Sequence, residues 1–118
     1  DCIRQFNVKT RGPDSLMLDM SGGNQQKVVI AKWFRTEPRV LLLDEPTAGV
    51  DVSAKTEIVD MVRQFAKDGR GAVFISSELS EVMAVCDRVL ILEKGQIKSV
   101  AWRAEIENEE ALQYALQH

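Results

Sequence analysis

The sequence has little of several residue types that function often requires. Its only histidine is the last residue, His118, so no interior imidazole is available as a metal ligand or as the base of a catalytic triad. The two cysteines, Cys2 and Cys86, form no Cys-x-x-Cys pair, which favours a reduced cytosolic protein without a zinc site. No apolar run approaches the roughly 20 residues that a membrane span requires, so work at a membrane would need a partner.

Positively charged residues are also fewer than negatively charged ones. Fifteen Lys and Arg against eighteen Asp and Glu give a formal net charge of −3, which offers no electrostatic basis for binding nucleic acid or anionic lipid. The rest is ordinary globular composition, with 45% hydrophobic and 28% charged residues in a chain of 118. That length suffices for one core, and therefore for one domain or a piece of one. The opening segment 1–6 contains no Met and reads as the tail of an amphipathic segment, so we expect the chain to begin inside a larger protein.

The apolar pattern predicts alternating helices and strands. Continuously apolar runs are typical of strands buried on both faces, the usual state in parallel sheets. The predicted strands are 39–43, 72–75, 88–92 and 97–100, the last two joined by a hairpin turn at 93–96. Helices are predicted from Gly23 to about residue 36, over 53–67, shortly after residue 78, and over 103–117. We expect Trp33 and Phe34 in the core. The order predicts an α/β fold with a mostly parallel sheet flanked by helices.

Two adjacent carboxylates follow the first predicted strand. Asp44 and Glu45 come directly after the apolar run and before Pro46. In open α/β sheets, ligands bind outside the carboxyl ends of the strands. There one acid can hold Mg²⁺ directly or through water, and the second can orient an attacking water. Acids at strand ends are also commonplace, so the pair by itself equally describes the end of a strand that leads into a proline turn.

A pair of glycines precedes the first predicted helix. In the tripeptide Ser21-Gly22-Gly23 the glycines let a ligand approach the backbone, and the amides at the helix start favour an anion such as phosphate. Ser21 adds a hydroxyl at the cap position. The same tripeptide is an ordinary helix cap and turn, and taken alone it favours that interpretation.

Taken together and in this order, these segments resemble a known family. The segments 21–27, 40–47 and 49–51 resemble the signature motif, Walker B strand and D-loop of ATP-binding cassette (ABC) proteins. The resemblance continues through 74–79 and 87–97, so it covers about residues 21–100. Asn24 and the Ser-Ser-Glu at 76–78 are similar to the second cassette of fused double-cassette ATPases, which drive bacterial monosaccharide importers of the ribose, galactose and xylose type.

The resemblance implies a role for each matching residue. Those implied to bind nucleotide, in part from the opposite cassette of a closed dimer, are Ser21, Gly22, Gly23, Gln25 and Asp51. Asp44 is implied to bind Mg²⁺ through water, and Glu45 to act as the general base or water-orienting acid. Ser77 stands where the family usually has its switch-loop histidine. Because its hydroxyl is shorter than imidazole and neutral, we expect slow hydrolysis, or mainly nucleotide binding.

One family element has no counterpart in the sequence. A Gly-x-x-x-x-Gly-Lys-Ser/Thr loop is absent, and the family places that P-loop upstream of the signature. We therefore expect the 118 residues alone to have negligible ATPase activity. The resemblance divides a partial P-loop NTPase-type domain into three segments. They are 1–36, the end of the helical subdomain with the signature motif; 37–100, the Walker B to switch-loop α/β core; and 101–118, the C-terminal helix.

The implied function is that of the ATP-binding subunit of a bacterial sugar importer, which couples binding and hydrolysis of ATP, with Mg²⁺, to transport of a monosaccharide. Its implied partners are a second ABC cassette, the membrane permease subunits and, indirectly, a periplasmic sugar-binding protein, with no nucleic acid. The implied location is peripheral, at the cytoplasmic face of the inner membrane. Since part of a domain exposes apolar faces, we also expect the chain to self-associate.

Two alternatives stay open at this point. The first is a non-catalytic interaction module, which the missing P-loop favours and the intact Asp44 and Glu45 pair disfavours. The second is an ABC-type ATPase of another system, such as the chromosome-maintenance ATPases, which interrupt the cassette with long coiled coils; no heptads occur here. An upstream coding sequence with a lysine-bearing P-loop would separate catalysis from the interaction module.

Overall fold

The computed structural model describes residues 22–118, so Ser21 and the segment before it lie outside the described residues. The chain divides into two compact units, one ending at Ile75 and the other running from Ser76 to His118. Within residues 22–118, no helix combines the length and apolar character needed to cross a bilayer.

In its described part, residues 22–75, the first unit contains two helices and a parallel pair of strands. In chain order these are α1 (Gly22–Phe34), β1 (Val40–Asp44), α2 (Val52–Ala66) and β2 (Gly71–Ile75). The strands run in parallel, with Val40 opposite Gly71 and Asp44 opposite Ile75. Parallel neighbours require a crossover connection, which α2 supplies. This order confirms the α/β class and the parallel sheet that the sequence predicted.

Among residues 22–75, the buried apolar side chains come from α1, β1 and α2. They are Ile30, Ala31, Phe34, Leu41, Leu43, Ala54, Ile58, Val59, Met61, Val62 and Phe65. Phe34 and Phe65 stack with ring centroids 4.8 Å apart, which joins the last turns of α1 and α2. The expectation for Trp33 was wrong, since it is 56% exposed. Neighbouring residues on a helix point about 100° apart, so Phe34 turns inward and Trp33 outward.

The opposite face of the parallel pair is apolar and exposed. Val40, Leu42, Val73 and Ile75 form this open sheet face, alternating along the strands with less exposed residues. Leu42 lies opposite Val73 in the register, so the side chains make one continuous patch. Sheets of this kind normally carry a further layer of structure on such a face.

The second unit is built on a β-hairpin. Its elements are α3 (Leu79–Val85), β3 (Arg88–Glu93), β4 (Gln96–Trp102), a 3₁₀ turn (Arg103–Glu105) and α4 (Glu109–Gln117). The hairpin turn consists of Lys94 and Gly95, whose φ values of 51° and 78° are the positive pair that a type I′ turn requires. Ile91, Ile106 and Leu112 form the buried core of this unit.

The predicted hairpin is confirmed, and one predicted helix is shorter than expected. β3 pairs antiparallel with β4, in agreement with the turn predicted at 93–96. The tight turn is the reason, because so short a reversal joins only antiparallel neighbours. The helix predicted over 103–117 begins only at Glu109. Asn108 caps it there, since its side-chain oxygen accepts a hydrogen bond from the Ala111 N–H at 2.8 Å.

Candidate functional site

The two strand-end carboxylates lie where the parallel sheet ends. Asp44 is the last residue of β1 and is exposed, and Glu45 follows it, half-buried. The Glu45 backbone has a φ of 47°, a left-handed conformation that residues other than glycine seldom adopt and that recurs at functional sites. Its N–H donates to the Ile75 carbonyl at 2.8 Å, which continues the pairing of the two strands. The second carboxylate is thus held on a backbone fixed to both strands.

The chemistry of these donors fits a magnesium ion. Among the residues from 22 onward, no three His, Cys, Asp or Glu side chains gather into a metal cluster. Mg²⁺ needs fewer protein ligands than such a cluster provides, because it keeps several waters and takes its other oxygens from one or two carboxylates and from substrate phosphates. Asp44, an exposed carboxylate at the carboxyl end of a parallel strand, is a donor of this kind.

The glycine turn begins α1. The first N–H groups of a helix have no carbonyl partner within it and favour an anion, and no acidic side chain lies in the first turn of α1. Gly22 is exposed, and a Cβ placed on it would meet nothing within 4 Å. Gly23 is buried, and Gln25 is half-buried. The Cβ position of Gly22 is therefore open, whereas that of Gly23 is closed by packing inside the unit.

Asp51 has a structural role at the start of α2. It is exposed, and its Oδ1 accepts a hydrogen bond from the Ala54 N–H at 2.8 Å, which makes it the N-cap of the helix. The family resemblance implied that this residue lies in the D-loop and binds nucleotide. The carboxylate that would face a second cassette also fixes where α2 begins.

Ser77 belongs to the second unit, whereas the other described site residues belong to the first. It is exposed, in the loop before α3. Ser76 anchors this loop by donating its hydroxyl to Glu81 Oε2 at 2.9 Å and accepting the Glu78 N–H at 3.0 Å. Glu81, only 6% exposed, is a residue that the sequence analysis did not single out. Its buried carboxylate holds the loop that presents Ser77.

Sequence reasoning also missed Lys27. This residue is 2% exposed and forms an ion pair with Glu57 of α2. From the sequence, a lysine four residues after the glycine turn is expected to be solvent-exposed, because lysine is almost never fully buried unless it is paired. The signal that could have identified it is spacing. Lys27 lies three residues before Ile30 and seven before Phe34, on the apolar stripe of α1.

Comparison with known proteins shows the family to which the chain belongs. The family model described as ABC transporter matches residues 2–48. The ribose import ATP-binding protein RbsA of Rhodopirellula baltica is 46% identical over 114 residues, covering 97% of this chain and 22% of the relative. The galactose/methyl galactoside import ATP-binding protein MglA of Pasteurella multocida is 43% identical over 116 residues, covering 98% and 23%. The chain thus spans between a fifth and a quarter of the length of these curated relatives.

Solved structures agree at the level of the fold. A dimeric post-hydrolysis ATP-binding cassette bound to ADP and Pi matches with a TM-score of 0.72 at 22% identity, over 86% of this chain and 44% of that one. An inward-facing ABC transporter of metal-chelate type matches with a TM-score of 0.80 at 24% identity, over 99% and 46%. The resemblance drawn from the motifs is confirmed, and the chain belongs to the ABC transporter family, as part of its ATPase domain.

Proposed function

We propose that the chain is the C-terminal portion of the ATP-binding subunit of a bacterial sugar importer, which couples ATP binding and hydrolysis to the transport of a monosaccharide. The observation that carries the chemistry is the pair of carboxylates at the end of a parallel strand, in the same unit as a helix that opens with an accessible glycine. The substrate class rests on relatives named as ribose and galactose import proteins, which are 41–46% identical over 97–98% of the chain.

In this proposal the two carboxylates at the end of β1 have different roles in ATP hydrolysis. Asp44 would hold Mg²⁺ through water, and the ion would supply positive charge beside the phosphate oxygens. Glu45 accepts a hydrogen bond from the attacking water and orients it toward the terminal phosphate. Its left-handed backbone, hydrogen-bonded to β2, supports that task by limiting where the carboxylate can go. Hydrolysis then depends on positioning and charge, with no covalent intermediate on the protein.

The remaining site residues act across a pair of cassettes. Ser21, Gly22 and Gly23 contact the terminal phosphate of ATP held mainly by the opposite cassette. Gln25 also binds nucleotide, and Asp51 lies at the boundary between the two cassettes. The open backbone at Gly22 and the first turn of α1 without acidic side chains support this role. Ser77 stands at the switch-loop position, where a neutral hydroxyl gives slower turnover than an imidazole. In this scheme residues 1–36 end the helical subdomain, 37–100 form the α/β core and 101–118 close the domain.

The proposed partners follow from the same role. They are a second cassette, the permease subunits of the membrane and, indirectly, a periplasmic sugar-binding protein, with no nucleic acid. In this role the protein lies peripherally at the cytoplasmic face of the bacterial inner membrane. The net charge of −3 supports contact through a protein partner, since it offers no attraction for anionic lipid.

The test uses the full-length protein, with its companion cassette inactivated so that turnover at this site is measured alone. We expect Glu45→Gln to lower ATP turnover at least about 100-fold while ATP binding persists, because a water-orienting group is lost and the fold is not. Glu107→Gln is the matched control, since Glu107 is exposed in the segment before α4. Equal turnover in the wild type and Glu45→Gln would contradict the proposal. Mg²⁺-dependent, Glu45-dependent turnover by the 118 residues alone would overturn the expectation that they are inactive by themselves.

A further inference from the structure

Two of the proposed nucleotide-side segments meet at one residue, Ala54, in the first turn of α2. Its N–H donates to Asp51 Oδ1 at 2.8 Å. On the other side, a Cβ placed on Gly23 would overlap the Ala54 methyl group, and it would lie 3.9 Å from Ala54 Cα and 4.0 Å from Val50 Cβ. Ala54 therefore contacts the glycine turn through its side chain and the cap of α2 through its backbone.

The two glycines of the turn differ in the space that surrounds their Cβ positions. Gly22 has open space around its Cβ position, since a Cβ there meets no atom of the described residues within 4 Å. Gly23 has no such space, because the overlapping atom is a methyl group attached directly to a helix backbone and no rotation about a side-chain bond can move it away. Positive φ does not explain Gly23 either, since the glycines with positive φ in the described part of the chain are Gly49, Gly69 and Gly95.

The close approach at Gly23 is the first of three contacts that align α1 with α2. One turn further on, the buried Lys27 is paired with Glu57, and at the far ends Phe34 stacks on Phe65. The partners are separated by 31, 30 and 31 residues, as two helices lying side by side in the same direction require. Such an arrangement fixes both the spacing and the rotation of the glycine turn relative to the start of α2.

We infer that Gly23 is a positioning residue, whose missing side chain lets the glycine turn seat against Ala54 and so sets its distance from Asp51. This inference rests on the function proposed above, in which both segments face nucleotide. The turn and the cap then move as one body. A side chain at Gly23 acts through Ala54, by pushing α1 away from α2, and not by blocking the approach of a ligand.

A reciprocal pair of substitutions tests this in the full-length protein. Gly23→Ala should lower the kcat/KM for ATP about 100-fold, the scale expected when reacting groups are misplaced by about 1 Å. Ala54→Gly removes the methyl group that is in the way, so the double variant should recover to within a few-fold of Ala54→Gly alone. Gly71→Ala is the matched control, because a Cβ there meets nothing within 4 Å and its φ is not positive.

Hydrogen exchange in the first turns of α1 and α2 gives a readout that does not depend on ATP. Gly23→Ala should lower protection there, and the double variant should restore it. If the double variant stays as impaired as Gly23→Ala in both protection and kcat/KM, or if Gly23→Ala matches the wild type, the inference is wrong. Unchanged turnover in Glu45→Gln with restored protection in the double variant would instead refute the proposed function and leave the packing result intact.

Discussion

The buried ion pair between Lys27 and Glu57 predicts an unequal response to the loss of either partner. The Lys27 side chain is 2% exposed and that of Glu57 is 27% exposed. Replacing Glu57 by Gln removes the carboxylate from a cation that water hardly reaches, whereas replacing Lys27 by Met leaves a carboxylate that water still contacts. Removing one member of an ion pair costs more when water has less access to the charge that remains. Glu57→Gln should therefore destabilise the α1 and α2 packing more than Lys27→Met.

The size of the difference follows from burial. Breaking a fully buried pair costs about 3–5 kcal/mol, so we expect about 3 kcal/mol for Glu57→Gln. For Lys27→Met we expect about 1 kcal/mol, because Met fills the space of the lysine stem and Glu57 turns toward solvent. The double variant should resemble Lys27→Met, since it no longer buries a charge. This pattern corresponds to a coupling of about 3 kcal/mol in a double-mutant cycle.

Hydrogen exchange measured by mass spectrometry on the full-length protein provides the assay, because it reports local stability in α1 and α2. A loss of about 3 kcal/mol raises the exchange of these helices about 100-fold, and about 1 kcal/mol raises it about 5-fold. The pair Lys98 and Glu93, 3.9 Å apart on the hairpin, serves as the control, and breaking it should change little. Equal effects of Glu57→Gln and Lys27→Met, or a larger effect of Lys27→Met, would refute the reasoning from burial.

Two further predictions concern the cap of α2 and the open sheet face. Asp51→Ala should weaken the first turn of α2 by about 1 kcal/mol and Asp51→Asn much less, since Asn caps as well as Asp; equal exchange rates in the two variants would argue against the cap. The 118-residue chain should self-associate through the open sheet face, where Leu42 is 74% exposed, and Leu42→Thr should reduce that association in light scattering. A clean monomer at high concentration would contradict this second prediction.

Much of the candidate site followed from local sequence. The apolar run ending in Asp44 and Glu45 predicted a strand with carboxylates at its carboxyl end, and β1 ends at Asp44. The glycines predicted a helix start, and α1 begins at Gly22. These features depend on neighbours along the chain, namely residue spacing, turn residues and backbone preferences. The proposed roles of these residues in nucleotide chemistry stay predictions.

The sequence by itself determined the order of the elements, the hairpin turn at Lys94 and the family motifs, because each is encoded within a few consecutive residues. Only the tertiary structure decided that Lys27 is buried against Glu57 and that Gly23 packs against Ala54. Those partners are about 30 residues apart, and whether they meet depends on the spacing and rotation of two packed helices. Side-chain packing across the whole unit sets that geometry, so no short segment of the sequence contains it.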